Sequence, residues 1–563
     1  MKPRMRHGLL RGASRRVLPG VLVLMAAASA PRAAPDAGGD PPSLVVVVVV
    51  DQLPTARLDA ITPLLSGGLG RLITEGRVYS RCAHAHAMTQ TAPGHATLLS
   101  GLLPRNHGVI MNSWYDTEAH REVYCVEDPD TETRRPSFNE PEDRSGVSPG
   151  NLLGENLADL MKRRRIASKV FSVSGKDRSA VLTAGHSPDG AFWFNRATGG
   201  FTSNPSIVRS LPSWGEDFWG ADPFTTQLYR RNIPDQWNYP PRREALADDY
   251  PYEADAFSRT APHPVAAVSG DEDVLRRRAR QVLFSPWGDW LSLQLAERIL
   301  DHEDLGRDEA PDLLVVALSS ADAVGHTYGP VSQEYLDTLV RLDSWLGEFM
   351  VKAEKAAAAS GGVLFALSSD HGVLPLPETL PGGRRIDPRA MQSRLQEMLK
   401  ASLAPESAAP LVESTEGGHI YFDRRALATH GIPIEKAVEE GRRILSGFWE
   451  ISRVYRAADL ASDAPGDPFL DLHRASWHPD RGGDLVVQPC GECLLTTRAE
   501  GTSHGTAYEY DRAVPMILMG KGIEAGRVDS ACRTVDLAPT IAATLGLGFE
   551  SPRDGVPLQI RGR

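Results

Sequence analysis

The chain has 563 residues, 61 of them basic and 72 acidic, for a formal charge of −11, with 41% hydrophobic and 24% charged residues. These values lie near the globular average and exclude disordered, fibrous and nucleic-acid-coating proteins. With 51 Gly and 42 Pro, the chain stays below the low-complexity range of about 25–30%, so one large core carrying insertions is expected.

At the N-terminus Arg4, Arg6, Arg11, Arg15 and Arg16 precede an apolar run from Val17 to Ala30, followed by small residues through Ala34. This is the layout of a signal peptide over residues 1–34, cut between Ala30 and Ala34. The run is broken by Pro19 and Gly20 and falls short of the roughly 20 apolar residues that span a bilayer. No Cys stands at the cleavage region, so neither a lipid nor a membrane anchor is expected, and the mature protein is expected to be periplasmic or secreted.

Leu44 to Val50 is a short apolar run ending at Asp51, which suits a strand buried on both faces. Leu313 to Leu318 and Val363 to Leu367 repeat the pattern, ending near Asp322 and at Asp370 and His371. Helical patterns lie between them, at Asn151 to Arg165 and Tyr335 to Ala359. Strands alternating with helices predict an α/β fold with a mainly parallel sheet. Ligands in such sheets bind beyond the carboxyl ends of the strands, where these polar residues fall. Two stretches read as insertions into the catalytic domain, 41–563. Residues 204–274 are rich in proline and carry Trp214, Trp219, Trp237, Tyr239 and Tyr252, which either line a cleft or hold an ordered cap together. Residues 377–497 have helical and strand patterns of their own. Of the five cysteines, Cys490 and Cys493 form either a local disulfide or a pair of structural thiols, and the odd count leaves a free thiol.

The segment MTQTAPGHATLLS places Thr91 just before a helix with Pro93 in its first turn. A hydroxyl there either caps the helix or sits at a positive helix end that favours a phosphate and an alkoxide. Asp322 and His326 are four apart, so one helical turn brings them to one face, able to share a metal. With Asp51, Asp370, His371 and His504 they make a mixed O and N donor set that suits zinc. In SGKDRSA, Lys176 and Arg178 share a face in extended chain, with Asp177 opposite. They either reach one dianion together or form a solvated charge cluster.

The motifs VVVVVDQL, TQTAPGHATLLSG, NHGVIMNSWYD, SGKDRSAV, SSADAVGHTYGP, LSSDHG, GTSHGTAYEYDRAVPMILMG and DLAPTIAATLGL run in order from Asp51 to Leu547. Together they resemble the alkaline phosphatase superfamily, and within it the phosphate-irrepressible, PafA-type bacterial enzymes, which share a core with the nucleotide pyrophosphatase/phosphodiesterases. The resemblance implies a three-layer α/β/α sandwich with capping insertions and two Zn2+ ions. It places one ion on Asp322, His326 and His504, and the other on Asp51, Asp370, His371 and the Thr91 oxygen. It makes Thr91 the nucleophile, passing through a phosphothreonine, and gives Asn112 a hydrogen bond to a phosphoryl oxygen. Lys176 and Arg178 match a pair that contacts the phosphoryl group in the PafA type and that the diesterases lack. Two extra cations favour a dianionic monoester over a diester. The expected substrates are therefore small phosphate monoesters, not nucleic-acid duplexes, and a monomer is expected. A diesterase or pyrophosphatase on the same fold is the alternative, and a noncatalytic metal-containing binding protein a remote one. A sulfatase would need Cys or Ser at position 91. His84, His86, His95 and His107 match no ligand and are expected to be structural.

Overall fold

The valine-rich run from Leu44 forms the middle of a sheet in the computed structural model, which describes residues 40–132, 145–196, 198–219, 226–254, 258–265 and 272–562. The expected signal peptide and parts of 204–274 lie outside these residues. The sheet's strands are β1 (Leu44–Val50), β2 (Arg77–Ala83), β3 (Val170–Ser174), β4 (Gly190–Phe194), β5 (Phe201–Thr202), β6 (Asp312–Leu318), β7 (Val363–Ser368), β8 (Met516–Gly520) and β9 (Gly526–Arg533). Across the sheet they run β9-β2-β8-β7-β1-β6-β3-β4-β5. β7, β1, β6, β3 and β4 are a continuous parallel block, with Val47 opposite both Val315 and Ala366. β8 is antiparallel to β7 and to β2, so β2 runs with the block.

The helices that matter to the site and core are α1 (Thr91–Ser100), α2 (Leu157–Arg164), α3 (Asp177–Ala184), α4 (Trp287–His302), α5 (Ser320–Tyr328), α6 (Gln333–Ala357) and α7 (Leu537–Thr544). β1 alternates between two apolar layers. Leu44, Val46, Val48 and Val50 meet Leu295 and Ile299 of α4 and Leu339 and Leu346 of α6. Val45, Val47 and Val49 meet the layer of Leu98 from α1, Leu160 from α2 and Ile541 from α7. Each buried valine is worth about 1.5–3 kcal/mol over an exposed one, which is why the run tolerates no polar alternation. The result is the expected α/β class, a largely parallel sheet between helical layers.

Helix boundaries moved where caps decide them. The helix expected from Asn151 begins at Leu157, because Asn156 accepts from the Asp159 N–H while Asp159 accepts from the Asn156 N–H. α6 starts two residues earlier than its apolar pattern, where the Ser332 hydroxyl accepts from the Tyr335 N–H.

In 204–274 the described tryptophans pack down onto the core. Trp219 stacks on Phe192 with ring centroids 5.4 Å apart, Trp237 donates to Asp337 of α6 at 2.7 Å, and Trp214 donates to Glu303 at 3.0 Å. Tyr239 donates to Glu334 of α6, whereas Tyr252 is exposed. Within 377–497 a four-stranded antiparallel sheet runs in the order Val412–Glu416, His419–Phe422, Leu485–Pro489, Ile451–Arg456. Leu395 and Leu399 from helix Pro388–Leu403 and Ile444 from helix Ile434–Leu445 cover its Ile420, Phe422 and Leu485. Cys490 and Cys493 form a disulfide, while Cys82, Cys125 and Cys532 are free and buried. No helix among the described residues is long and apolar enough to cross a membrane.

Candidate active site

Four strand ends deliver the polar residues to one edge of the sheet. Asp51 follows β1, Lys176 follows β3, Asp322 lies on α5 just after β6, and Asp370 and His371 follow β7. Thr91 is the first residue of α1, and the side chain of its N-cap, Gln90, makes no bond to the helix but accepts from the Asn112 N–H at 2.8 Å. The approach of α1 is close: a Cβ on Gly94 would lie 2.2 Å from the Asp370 carbonyl oxygen, so only glycine lets the helix reach this loop.

Two ligand groups result, Asp51, Asp370 and His371 beside Asp322, His371 and His504, each with its donor atoms within 4.8 Å of one another. His326 joins the second through its Nε2, 3.1 Å from Asp322 Oδ1, as the four-residue spacing on α5 predicts. His504 Nε2 lies 3.6 Å from the same oxygen. His371 Nε2 lies 3.4 Å from Asp51 Oδ1 and 3.3 Å from Asp370 Oδ2, and its ring stacks on His504 at 3.4 Å. His371 is thus within reach of both groups, whereas the family resemblance assigns it to one.

The donor chemistry fits metal ions. Asp51 Oδ1, Asp370 Oδ2 and His371 Nε2 are buried and have no hydrogen-bond partner, an arrangement that is costly unless a cation fills it. The three imidazoles are oriented alike: His326 Nδ1 faces the Thr502 carbonyl at 2.8 Å, His371 Nδ1 that of Gly372 at 2.9 Å, and His504 Nδ1 that of Thr89 at 2.7 Å. A carbonyl only accepts, so Nδ1 carries the proton and Nε2 keeps its lone pair. Burial holds His371 and His504 below the ordinary imidazole range, keeping them neutral. Burial and the neighbouring Asp370 push the Asp51 carboxyl well up. Burial acts the same way on Asp322, but His326 and Lys176 hold it well below the usual carboxylate range.

The cations converge on Thr91. Lys176 Nζ donates to Asp51 Oδ2 at 2.5 Å and Asp322 Oδ2 at 2.7 Å, and lies 3.3 Å from Thr91 Oγ1. Arg178 Nη2 lies 3.4 Å from the same hydroxyl. The extended geometry expected for this pair holds only at Lys176. Arg178 is already in α3, and the turn into the helix brings the two heads together. Tyr124 donates to Asp177 at 2.6 Å and accepts from Arg178 Nη1 at 3.4 Å, anchoring the guanidinium. Asn112 Oδ1 accepts from the Ala92 N–H at 2.9 Å, which leaves its amide NH2 as the group free to donate.

Several neighbours escape a reading by motif. Gln52, at φ 63°, donates through Nε2 to Asp322 Oδ1 at 2.9 Å and through its backbone N–H to Asp370 Oδ1 at 3.1 Å, tying the two groups together. The only hint in sequence is its place after Asp51. His95 Nδ1 lies 2.9 Å from the Thr91 carbonyl and 3.3 Å from Asp370 Oδ2, and His84 Nε2 lies 3.1 Å from the Ser369 carbonyl. Both brace the Asp370 loop, while His86 meets His84 and His107 meets Thr97.

Residues 45–506 match the family model of type I phosphodiesterase / nucleotide pyrophosphatase. The chain belongs to that family. Among curated relatives it is 29% identical over 508 residues to the alkaline phosphatase PafA of Elizabethkingia meningoseptica, covering 87% of this chain and 89% of that protein. It is 30% identical over 496 residues to the alkaline phosphatase PhoV of Synechococcus elongatus, covering 85% of each. The crystal structure of wild-type PafA matches with a TM-score of 0.83 at 27% identity, over 92% of this chain and 99% of that one. The chain is thus a hydrolase of the alkaline phosphatase and nucleotide pyrophosphatase superfamily, with the PafA-like fold that its motifs implied.

Proposed function

We propose that this chain is an exported, zinc-dependent phosphate monoester hydrolase that works through a phosphothreonine. The convergence of Lys176 Nζ and Arg178 Nη2 on Thr91 Oγ1, at 3.3 and 3.4 Å, carries the proposal, and the alkaline phosphatase relatives support it. Asp322, His326 and His504 would hold one ion, and Asp51, Asp370, His371 and the Thr91 oxygen the other. The chemistry such ions supply when bound is Lewis acidity toward the nucleophile and the phosphoryl oxygens.

The remaining work falls to the chain. Thr91 Oγ1 attacks phosphorus in line with the departing oxygen, from the N-terminus of α1, where the helix dipole favours developing negative charge. A monoester presents a dianion, and Lys176 and Arg178 place two positive charges where its equatorial oxygens gain density. A diester has one such charge fewer, so the pair contributes less to its hydrolysis. The Asn112 amide, oriented by the Ala92 N–H, donates to a third oxygen. Water then hydrolyses the phosphothreonine and returns Thr91 with release of phosphate. The segments 204–274 and 377–497 would act as caps on the catalytic domain, 41–563.

The test is kcat/KM of the purified mature protein on an aryl phosphate monoester and the matching diester, with a chelator and with zinc restored. A strong monoester preference lost on chelation and regained with zinc is expected. A diester preference would move the function to the phosphodiesterase side of the family.

A further inference from the structure

The edge strand β9 has little apolar surface to hold it to the sheet. It pairs with β2 alone, and Cys532 is its one buried residue. Only the half-buried Val528 packs beside it against the layer of Leu98 and Ile541.

Cys532 stands in register with Cys82 of β2. Residues in register on neighbouring strands point to the same face, and both cysteines belong to the layer of Leu98, Leu160 and Ile541. Their thiols hydrogen-bond to each other. Neighbouring strands lie about 4.7–4.9 Å apart, inside the Cα separation of about 4.4–6.8 Å that a disulfide spans. Neither thiol has a competing partner: Cys490 and Cys493 are joined to each other, and Cys125 lies in a different apolar cluster, with Met111 and Val126. The pair also sits at the foot of a brace of the candidate site. Two residues further along each segment, His84 Nδ1 lies 2.9 Å from Thr534 Oγ1, and His84 Nε2 lies 3.1 Å from the carbonyl of Ser369, next to Asp370. A bond between the two sulfurs would close a loop that contains every proposed site residue except Asp51.

We propose that Cys82 and Cys532 form a disulfide in the exported protein, pinning the edge strand to the sheet and the end of the catalytic domain to the segment that leads into Thr91. The proposal rests on the export reading above. The step is a two-electron oxidation by thiol–disulfide exchange: both thiols lose their protons, one S–S bond forms, and the disulfide of an oxidoreductase in the exported compartment is reduced to its dithiol. Burial and the neighbouring Cys532 push the Cys82 thiol well above its ordinary range, so once folded the pair reacts slowly. Oxidation therefore belongs to folding, before β9 docks, and the finished bond is shielded from reductants.

The test directs the mature chain to an oxidising bacterial periplasm with a foreign signal peptide, so that the thiol count does not depend on residues 1–34. Free thiols are trapped with N-ethylmaleimide in denaturant without reductant and counted by mass. Wild type should show one, on Cys125, while Cys82→Ala should show two and Cys125→Ala none. A non-reduced digest of wild type should contain two peptides joined through residues 82 and 532. Three free thiols in wild type would overturn the proposal and leave the export reading standing. Amide exchange in β9 should be slower in this protein than in the same chain made in a reducing cytosol, and equal rates would overturn the pinning role. The native signal peptide is tested separately by cell fractionation: retention of the precursor in the cytoplasm would overturn the export reading, and the proposal with it, whatever the thiol count.

Discussion

Gly94→Ala is a small perturbation with a specific expected effect. The added methyl would lie 2.2 Å from the Asp370 carbonyl oxygen and 2.7 Å from Asp370 Cβ, where ordinary contact begins at 3.4 Å, so the loop must retreat by about 1.2 Å. Alanine gains about 0.8–1 kcal/mol of helix propensity in α1, against about 1–3 kcal/mol for overpacking. Net destabilisation is therefore modest, about 0–2 kcal/mol. The function should suffer far more. Asp370 Oδ1 is tied to Gln52 and Oδ2 faces His371 and His95, so a displaced loop misplaces a proposed ligand together with its supports. A ligand-shell error of this kind costs about 10–100-fold in metal affinity, and a 1 Å misplacement about 100-fold in rate. The assay is zinc retained after dialysis against graded chelator, with kcat/KM on an aryl phosphate and the thermal midpoint measured on the same samples. Gly548→Ala is the control, since a Cβ there meets nothing within 4 Å. Wild-type zinc retention and kcat/KM in Gly94→Ala would show that the helix contact does not set the Asp370 position.

Thr91→Ala should reduce monoester turnover by at least about a thousandfold with zinc still bound, and acid-quenched phosphorylated protein should appear with wild type but not with the variant. Survival of turnover would point to direct attack by water. Lys176→Ala and Arg178→Ala should each lower kcat/KM on the monoester by about 100-fold or more and on the matching diester by much less; equal losses would show that the pair does not read phosphate charge. Stability should depend on pH through Asp289, whose Oδ1 accepts from the Ser320 N–H and whose Oδ2 has no partner. Burial pushes its carboxyl up to about 7 from an ordinary 3.8, so the fold favours the protonated form. That contribution is complete below the ordinary value and is lost as pH rises through about 7. Wild type should therefore lose stability relative to Asp289→Asn between pH 4 and 8, as urea midpoints would show, and parallel curves would refute it.

What sequence reveals here follows the range of the interaction. The β1 strand is legible because a continuous apolar run is what a doubly covered strand requires, and Asp322 and His326 are legible because one helical turn is a local geometry. The start of α2 is less so, because its capping pair, Asn156 and Asp159, lies inside what reads as continuous periodicity. Arg178 departs from the extended pattern because α3 begins at Asp177, and two-residue alternation cannot register such a switch. Gln52 is invisible for another reason: its importance comes from a backbone at φ 63° that turns its amide toward Asp322, and nothing about a glutamine announces that. Cys82 and Cys532 stand opposite each other on β2 and β9, a neighbourhood fixed by sheet order across most of the chain.

The same distinction bears on how the site is built. The candidate ligand carboxylates follow β1, β6 and β7, whereas the two cations follow β3, beyond β6 in the sheet. The proposed metal ligands and the proposed phosphoryl contacts are thus carried on different strands, and a change in one need not disturb the packing of the other. Lys176 is the exception, since its ammonium bonds both Asp51 and Asp322. It should be the one cation whose removal alters metal binding as well as catalysis, while removal of Arg178, anchored through Tyr124, should alter catalysis alone. Zinc retention in the two alanine variants separates these roles, and equal retention would mean that the Lys176 contacts do not govern the ligand carboxylates.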